Sequence, residues 1–173
     1  MTFGQGEGLT WERQLYLDHP DAPAPGHRFA GYYFPYPSDA GHLGLVSTIA
    51  EDPPMLNWIF VDKDTGEVRH GGRKDTLEHA IGPWGWSNDE RWLTFEGQAA
   101  GFIAVEDPEN KKWTVSLDRD RSLETSVLGR PAEAGGEARQ RWAAVRLRRR
   151  MALGMESRYL RESERGNEDQ KAG

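Results

Sequence analysis

The sequence predicts a β-rich α+β fold: an antiparallel sheet, curled or closed into a small β-barrel of about eight strands, with one short internal helix and a long C-terminal helix. Three observations carry this expectation. Short apolar runs separated by Gly, Pro, Asn and Asp recur between residues 14 and 118, as in a meandering antiparallel sheet. Two pairs of these runs are joined by residues that favour tight turns. The stretch from Glu137 to Glu162 instead repeats apolar side chains at helical spacing.

Composition sets the limits. A chain of 173 residues has the size of one ordinary domain and buries enough surface to need no cross-link. It contains no cysteine, which removes disulfide frameworks, thiolate metal sites and thiol chemistry together. The N-terminal MTFGQGEGLTWERQ lacks the cationic start and apolar run of a signal peptide. No apolar stretch reaches the roughly 20 residues needed to span a bilayer. A cytoplasmic protein is expected, with a nuclear one as the variant. Charge is unevenly divided. Residues 1–137 hold 12 Lys+Arg against 23 Asp+Glu, while residues 138–155 hold six Arg and no acid. The acidic body argues against nucleic acid as a partner, leaving the basic segment as the only attractive surface.

In order along the chain, residues 1–10 are Gly-rich and polar and are expected to be disordered. A domain is expected over residues 11–128. Gln14–Leu17 suits a short strand, and DHPDAPAPGH after it, with three prolines, is a loop. Arg28–Phe34 is an aromatic strand, with Phe29 and Tyr33 on one face and Tyr32 and Phe34 on the other. Leu43–Ala50 alternates and is closed by Pro53-Pro54. Met55–Asp62 is the most apolar strand; the turn Asp62-Lys63-Asp64-Thr65-Gly66 returns it to Glu67–His70, with Gly66 at positive φ.

A short helix over Thr76–Ile81 follows, with Asp75 as N-cap, Glu78 completing a capping box, and Gly82-Pro83 as its stop. Ser87 and Glu90 repeat that spacing before a strand at Trp92–Glu96. Phe102–Glu106 and Trp113–Asp118 form a second hairpin through Asp107-Pro108-Glu109-Asn110. Residues 129–136 are a linker. Over residues 137–162 the basic amphipathic helix carries Ala144, Leu147, Met151 and Met155 as one stripe. Trp142, Leu153 and Leu160 lie on the opposite side, between Arg146, Arg148, Arg149 and Arg150. Residues 163–173 form a polar tail, expected to be disordered.

The chemistry-bearing residues are few. His19, His27, His42, His70 and His79 show no ligand spacing, so no metal site is expected. The sequence has no phosphate-binding loop, dinucleotide fingerprint or nucleophile elbow, and no cofactor is expected. His70-Gly71-Gly72-Arg73-Lys74-Asp75 brings two cations to a helix start, a geometry that suits an anion unless Asp75 occupies the free N–H groups. Trp58, Trp92 and Trp113 are expected in the core. Trp84 and Trp86 lie in a loop, and with Tyr32, Tyr33 and Tyr36 they are the candidate binding surface, flanked by Arg73 and Lys74.

The leading functional expectation is a non-enzymatic binding or assembly module. It would recognise a partner protein or ligand through these aromatics and through Trp142, Arg146, Arg149, Arg150, Leu153 and Leu160 of the C-terminal helix, with self-association as one outcome. The alternatives are a small-ligand enzyme using His70, Asp75 and His79 at a barrel mouth, and nucleic-acid binding through the arginines.

Overall fold

The computed structural model describes residues 2–3, 13–24, 26–51, 53–119 and 141–148. The strands are β1 (Thr2–Phe3), β2 (Leu15–Leu17), β3 (Gly31–Pro35), β4 (Leu43–Glu51), β5 (Pro54–Val61) and β6 (Val68–Gly71), followed by helix α1 (Arg73–Thr76). The chain continues with β7 (Trp84–Trp86), β8 (Leu93–Phe95), β9 (Phe102–Glu106), β10 (Trp113–Leu117) and β11 (Trp142–Ala144). All ladders are antiparallel and form sheets in the orders β1-β2-β10-β9-β11, β3-β4-β5-β6 and β7-β8. The described strands therefore do not close into a barrel, because their hydrogen bonds are divided among three sheets.

One core joins these sheets. Leu15, Leu45, Ile59, Val61, Val68, Trp84, Phe95, Phe102, Val115 and Leu147 all belong to it. Single backbone bonds stitch the sheets together where no ladder runs. His70 N–H donates to Arg13 O (2.7 Å), and Leu117 N–H donates to Gly66 O (2.7 Å).

Both expected hairpins form, and the same device turns each. In the first, Asp62 Oδ1 accepts from the N–H groups of Asp64 and Thr65 (3.0 Å each), and Gly66 sits at φ 73°. In the second, Asp107 Oδ1 accepts from Glu109 N–H (2.8 Å), and Lys111 takes the left-handed conformation at φ 61°. The carboxylate organises the loop locally, so each turn follows from a few adjacent residues.

Four elements differ from the sequence expectation. The C-terminal helix is not formed over residues 142–148: β11 pairs with β9 in the register Trp142↔Val105, Ala143↔Ala104 and Ala144↔Ile103. Glu106 N–H donates to Arg141 O (2.8 Å) and Val145 N–H to Phe102 O (2.9 Å). Leu147 is 8% exposed within the core. The free edge of β9 and the core contact of Leu147 outweigh the modest helix propensity of Ala and Arg, each worth only tenths of a kcal/mol.

The internal helix occupies Arg73–Thr76, starting three residues earlier than expected. Gly72 is its N-cap, and Asp75 reaches back from the third helical position to Gly72 N–H (2.9 Å). Trp84–Trp86 is a strand, because β8 offers it a partner in the register Trp84↔Phe95 and Trp86↔Leu93. At the N-terminus, Thr2 and Phe3 pair with β2. The expectations for residues 4–12, the linker over 129–136, the helix at 137–140 and 149–162, and the tail from 163 lie outside the described residues. Among the described residues no helix is long and apolar enough to cross a membrane.

Candidate functional site

The sheet β3-β4-β5-β6 uses its two faces differently. Its inner face carries Leu45, Ser47, Ile59, Val61, Val68 and His70, all buried. On the outer face the register aligns Tyr32 with Val46 and Trp58, and Phe34 with Gly44. Leu56 follows on the same side, opposite Thr48. Tyr32, Phe34 and Leu56 are 48%, 51% and 51% exposed, so the face presents apolar side chains to solvent.

Trp58 is the centre of this face, and Gly44 makes room for it. A Cβ added at Gly44 would lie 2.5 Å from Trp58 Cζ3 and 2.9 Å from Cε3. The indole therefore lies directly on the β4 backbone. Phe34 meets it edge-on at 6.1 Å between ring centroids and Tyr36 at 4.9 Å, geometries favoured by the ring quadrupoles. Tyr36 is buried, and its hydroxyl shares a 2.7 Å hydrogen bond with Thr76 Oγ1. The helix α1 is thus fastened to the aromatic face.

A polar rim lies beside the indole. Gly71 pairs with Trp58 across the ladder, and a Cβ at Gly71 would lie 2.8 Å from the Asp75 side chain. Asp75 forms an ion pair with Arg13. The Arg13 hydrogen bond, against an opposing effect of burial, holds the Asp75 carboxyl below its usual range, helped by Gly72 N–H. Arg73 Nη2 donates to Pro37 O (2.7 Å), tying α1 to the loop after β3. Lys74 is exposed.

The histidines expected at a catalytic site have structural surroundings. His70 lies on the inner face, with Nδ1 2.9 Å from Asn57 Nδ2. Burial, reinforced by the Arg13 charge and only partly opposed by Asp75, pushes its pKa down to about 4. The ring is neutral at physiological pH. His79 stacks on Phe60 with centroids 5.0 Å apart, and its Nδ1 accepts from Lys63 N–H (3.3 Å). Among the described residues no group of three or more His, Asp or Glu is placed to hold a metal ion.

The aromatics singled out in the sequence are dispersed. Trp84 is 2% exposed, donates from Nε1 to Ile59 O (3.2 Å) and packs against Phe95 and Phe102. Trp86 is half-buried and meets Tyr33 edge-on at 5.7 Å. Only Tyr32 and Tyr36 of the expected set reach the outer face, and Tyr36 does so from beneath. Trp142 is half-buried on β11, and Arg146 is exposed with its guanidinium 5.7 Å from the Trp92 ring centroid. Arg149, Arg150, Leu153 and Leu160 lie outside the described residues.

The antiparallel sheets around one core agree with a family found by comparison: the family model described as "fungal beta-trefoil domain" matches residues 9–153. The chain belongs to this family. Comparison with curated proteins and with solved structures gives no match. Aspartates end three of this β-trefoil's strands. Asp18, Asp62 and Asp107 stand 44 and 45 residues apart, and each directly follows a strand, β2, β5 and β9. The last two organise equivalent turns, and the side chain of Asp18 accepts from Ala24 N–H (3.4 Å).

The matching turns at Asp62 and Asp107 were legible in the sequence. Trp58 and Gly44 carried no comparable signal. They stand 14 positions apart, and only the β4–β5 register brings them together.

Proposed function

We propose that this β-trefoil is a non-enzymatic binding module that docks an apolar segment of a partner protein on the outer face of the β3–β6 sheet. The observation that carries the reading is the group Tyr32, Phe34 and Leu56, each about half exposed on one face beside Trp58. Single exposed apolar residues are ordinary, whereas a contiguous apolar set marks recognition surfaces. Arg73, Lys74 and the Arg13–Asp75 pair supply the polar rim that accompanies an apolar centre at protein interfaces. The enzyme alternative gains no support from His70, Asp75 and His79, which serve the sheet, the helix start and the Phe60 ring. The nucleic-acid alternative relied on a helix that is a strand over residues 142–144.

Panning a phage-displayed random peptide library on the full chain tests this reading. The expected result is enrichment of Trp-, Phe- and Leu-bearing peptides. Their affinity should drop at least tenfold in a Phe34→Ser, Leu56→Ser double variant, since two anchors lost from an interface centre exceed about 1.4 kcal/mol. No enrichment, or binding indifferent to both substitutions, would sink the proposal.

A further inference from the structure

A second feature lies away from the aromatic face. A cleft of about 600 Å3 opens between the turn after β8, the ends of β9 and β10, and the residues after β11. Its volume falls within the roughly 300–1,000 Å3 typical of small-ligand sites. Phe102, Leu117 and Val145 supply apolar wall, and Arg119, Arg146, Glu96 and Asp118 bring charge to the lining.

The two arginines differ in what they have left to offer. Arg119 lies 5.0 Å from the Phe95 ring centroid, and its Nη2 donates to Glu96 Oε1 at 3.1 Å, so its charge is already matched. Arg146 lies 5.7 Å from the Trp92 ring centroid. Arg119 and Arg141 pair with Glu96 and Glu106, whereas among the described residues Arg146 has no carboxylate partner. Its backbone is pinned on both sides: Val145 N–H donates to Phe102 O (2.9 Å), and Leu93 N–H donates to Leu147 O (2.8 Å). A guanidinium laid on an indole and carried by a fixed backbone keeps its N–H fork pre-organised for a planar carboxylate.

We propose that this cleft binds a small apolar monocarboxylate, with its hydrocarbon body against Phe102, Leu117 and Val145 and its carboxylate on Arg146. A cationic ligand would meet Arg146 as a like charge, and a neutral one would leave it unmatched beside the apolar wall. A phosphate dianion would meet the acidic side chains of Glu96 and Asp118 in the same lining. A single carboxylate, paired through two N–H groups of one guanidinium, carries the charge and the shape that remain. A free organic acid offers this chemistry, and so does a peptide chain end whose last residue is apolar.

Isothermal titration of the full chain separates these two sources. Octanoate and hydrocinnamate represent free acids and N-acetyl-leucyl-phenylalanine the chain end, each compared with its amide, with inorganic phosphate as the dianion control. At least one carboxylate should bind, about tenfold or more tighter than its amide, while phosphate does not bind. The arm that binds identifies the source. Arg146→Gln should abolish the preference for acid over amide and leave the amide's own binding unchanged. Glu96→Gln should tighten the carboxylate by about threefold, because it removes a like charge and releases Arg119, a gain that a damaged fold does not produce. Phe34→Ser should change nothing. The proposal is overturned if no carboxylate binds, if acid and amide bind equally, if phosphate binds as tightly, or if the preference survives Arg146→Gln. Weaker carboxylate binding in Glu96→Gln, or its loss in Phe34→Ser, overturns it as well. Because Phe34 and Arg146 lie in separate sites, this result and that of the peptide selection are independent.

Discussion

His70 makes the stability of this β-trefoil depend on pH over a defined window. Its pKa is 6.5 in an unfolded chain and about 4 in the folded protein, set first by burial and then by Arg13, with Asp75 opposing. Because the folded value is the lower one, the unfolded chain takes up the proton first as pH falls. Stability is therefore fully present above about pH 6.5, declines on acidification and levels off below about pH 4. Each pKa unit corresponds to about 1.4 kcal/mol, so the full effect is about 3 kcal/mol.

Asp62 and Asp75 titrate below 3.8 and act outside this window. For Asp62, burial raises the pKa, but the N–H groups of Thr65 and Asp64, with His79 and Arg69, outweigh it. The assay is urea denaturation at pH 7, 6, 5 and 4.5 on the native chain and on His70→Gln, whose amide can still bond Asn57 but does not titrate. The native midpoint should drop by roughly 1–3 M across the full titration, given slopes of about 1–3 kcal/mol per molar. The variant should show little change above pH 4.5. Equal acid dependence in the two proteins would refute the assignment to His70.

Gly44→Ala should destabilise by about 1–3 kcal/mol, because the added methyl meets the Trp58 ring. The same change in a Trp58→Leu background should cost far less, as a double-mutant cycle by thermal melting would reveal. Trp84→Ala should cost about 3–5 kcal/mol, whereas Tyr32→Ser should stay within about 0.5 kcal/mol; similar values in urea denaturation would contradict their burial. In the paired turns, Gly66→Ala should lose about 1 kcal/mol and Lys111→Gly should gain a smaller amount, since both positions have positive φ. A destabilised Lys111→Gly would show that its side chain matters more than its backbone.

Residue order alone determined the elements whose causes are local. The two hairpins rest on Asp62 and Asp107 caps and on alternating strands, so a window of about 15 residues contains their whole rationale. The β-rich class follows from the same windows.

Only the tertiary structure decided β7, β11 and the placement of the half-buried Trp58 indole on an outer face. Residues 142–144 become a strand because β9, nearly 40 residues upstream, offers an open edge. Trp84 enters the core and Trp58 forms an outer face because a side chain's exposure depends on which element packs over that side of its strand. The alternation along β5 separates two faces without saying which will be covered. The glycine that makes the Trp58 platform possible is set by register, a property of two strands and not of either sequence alone.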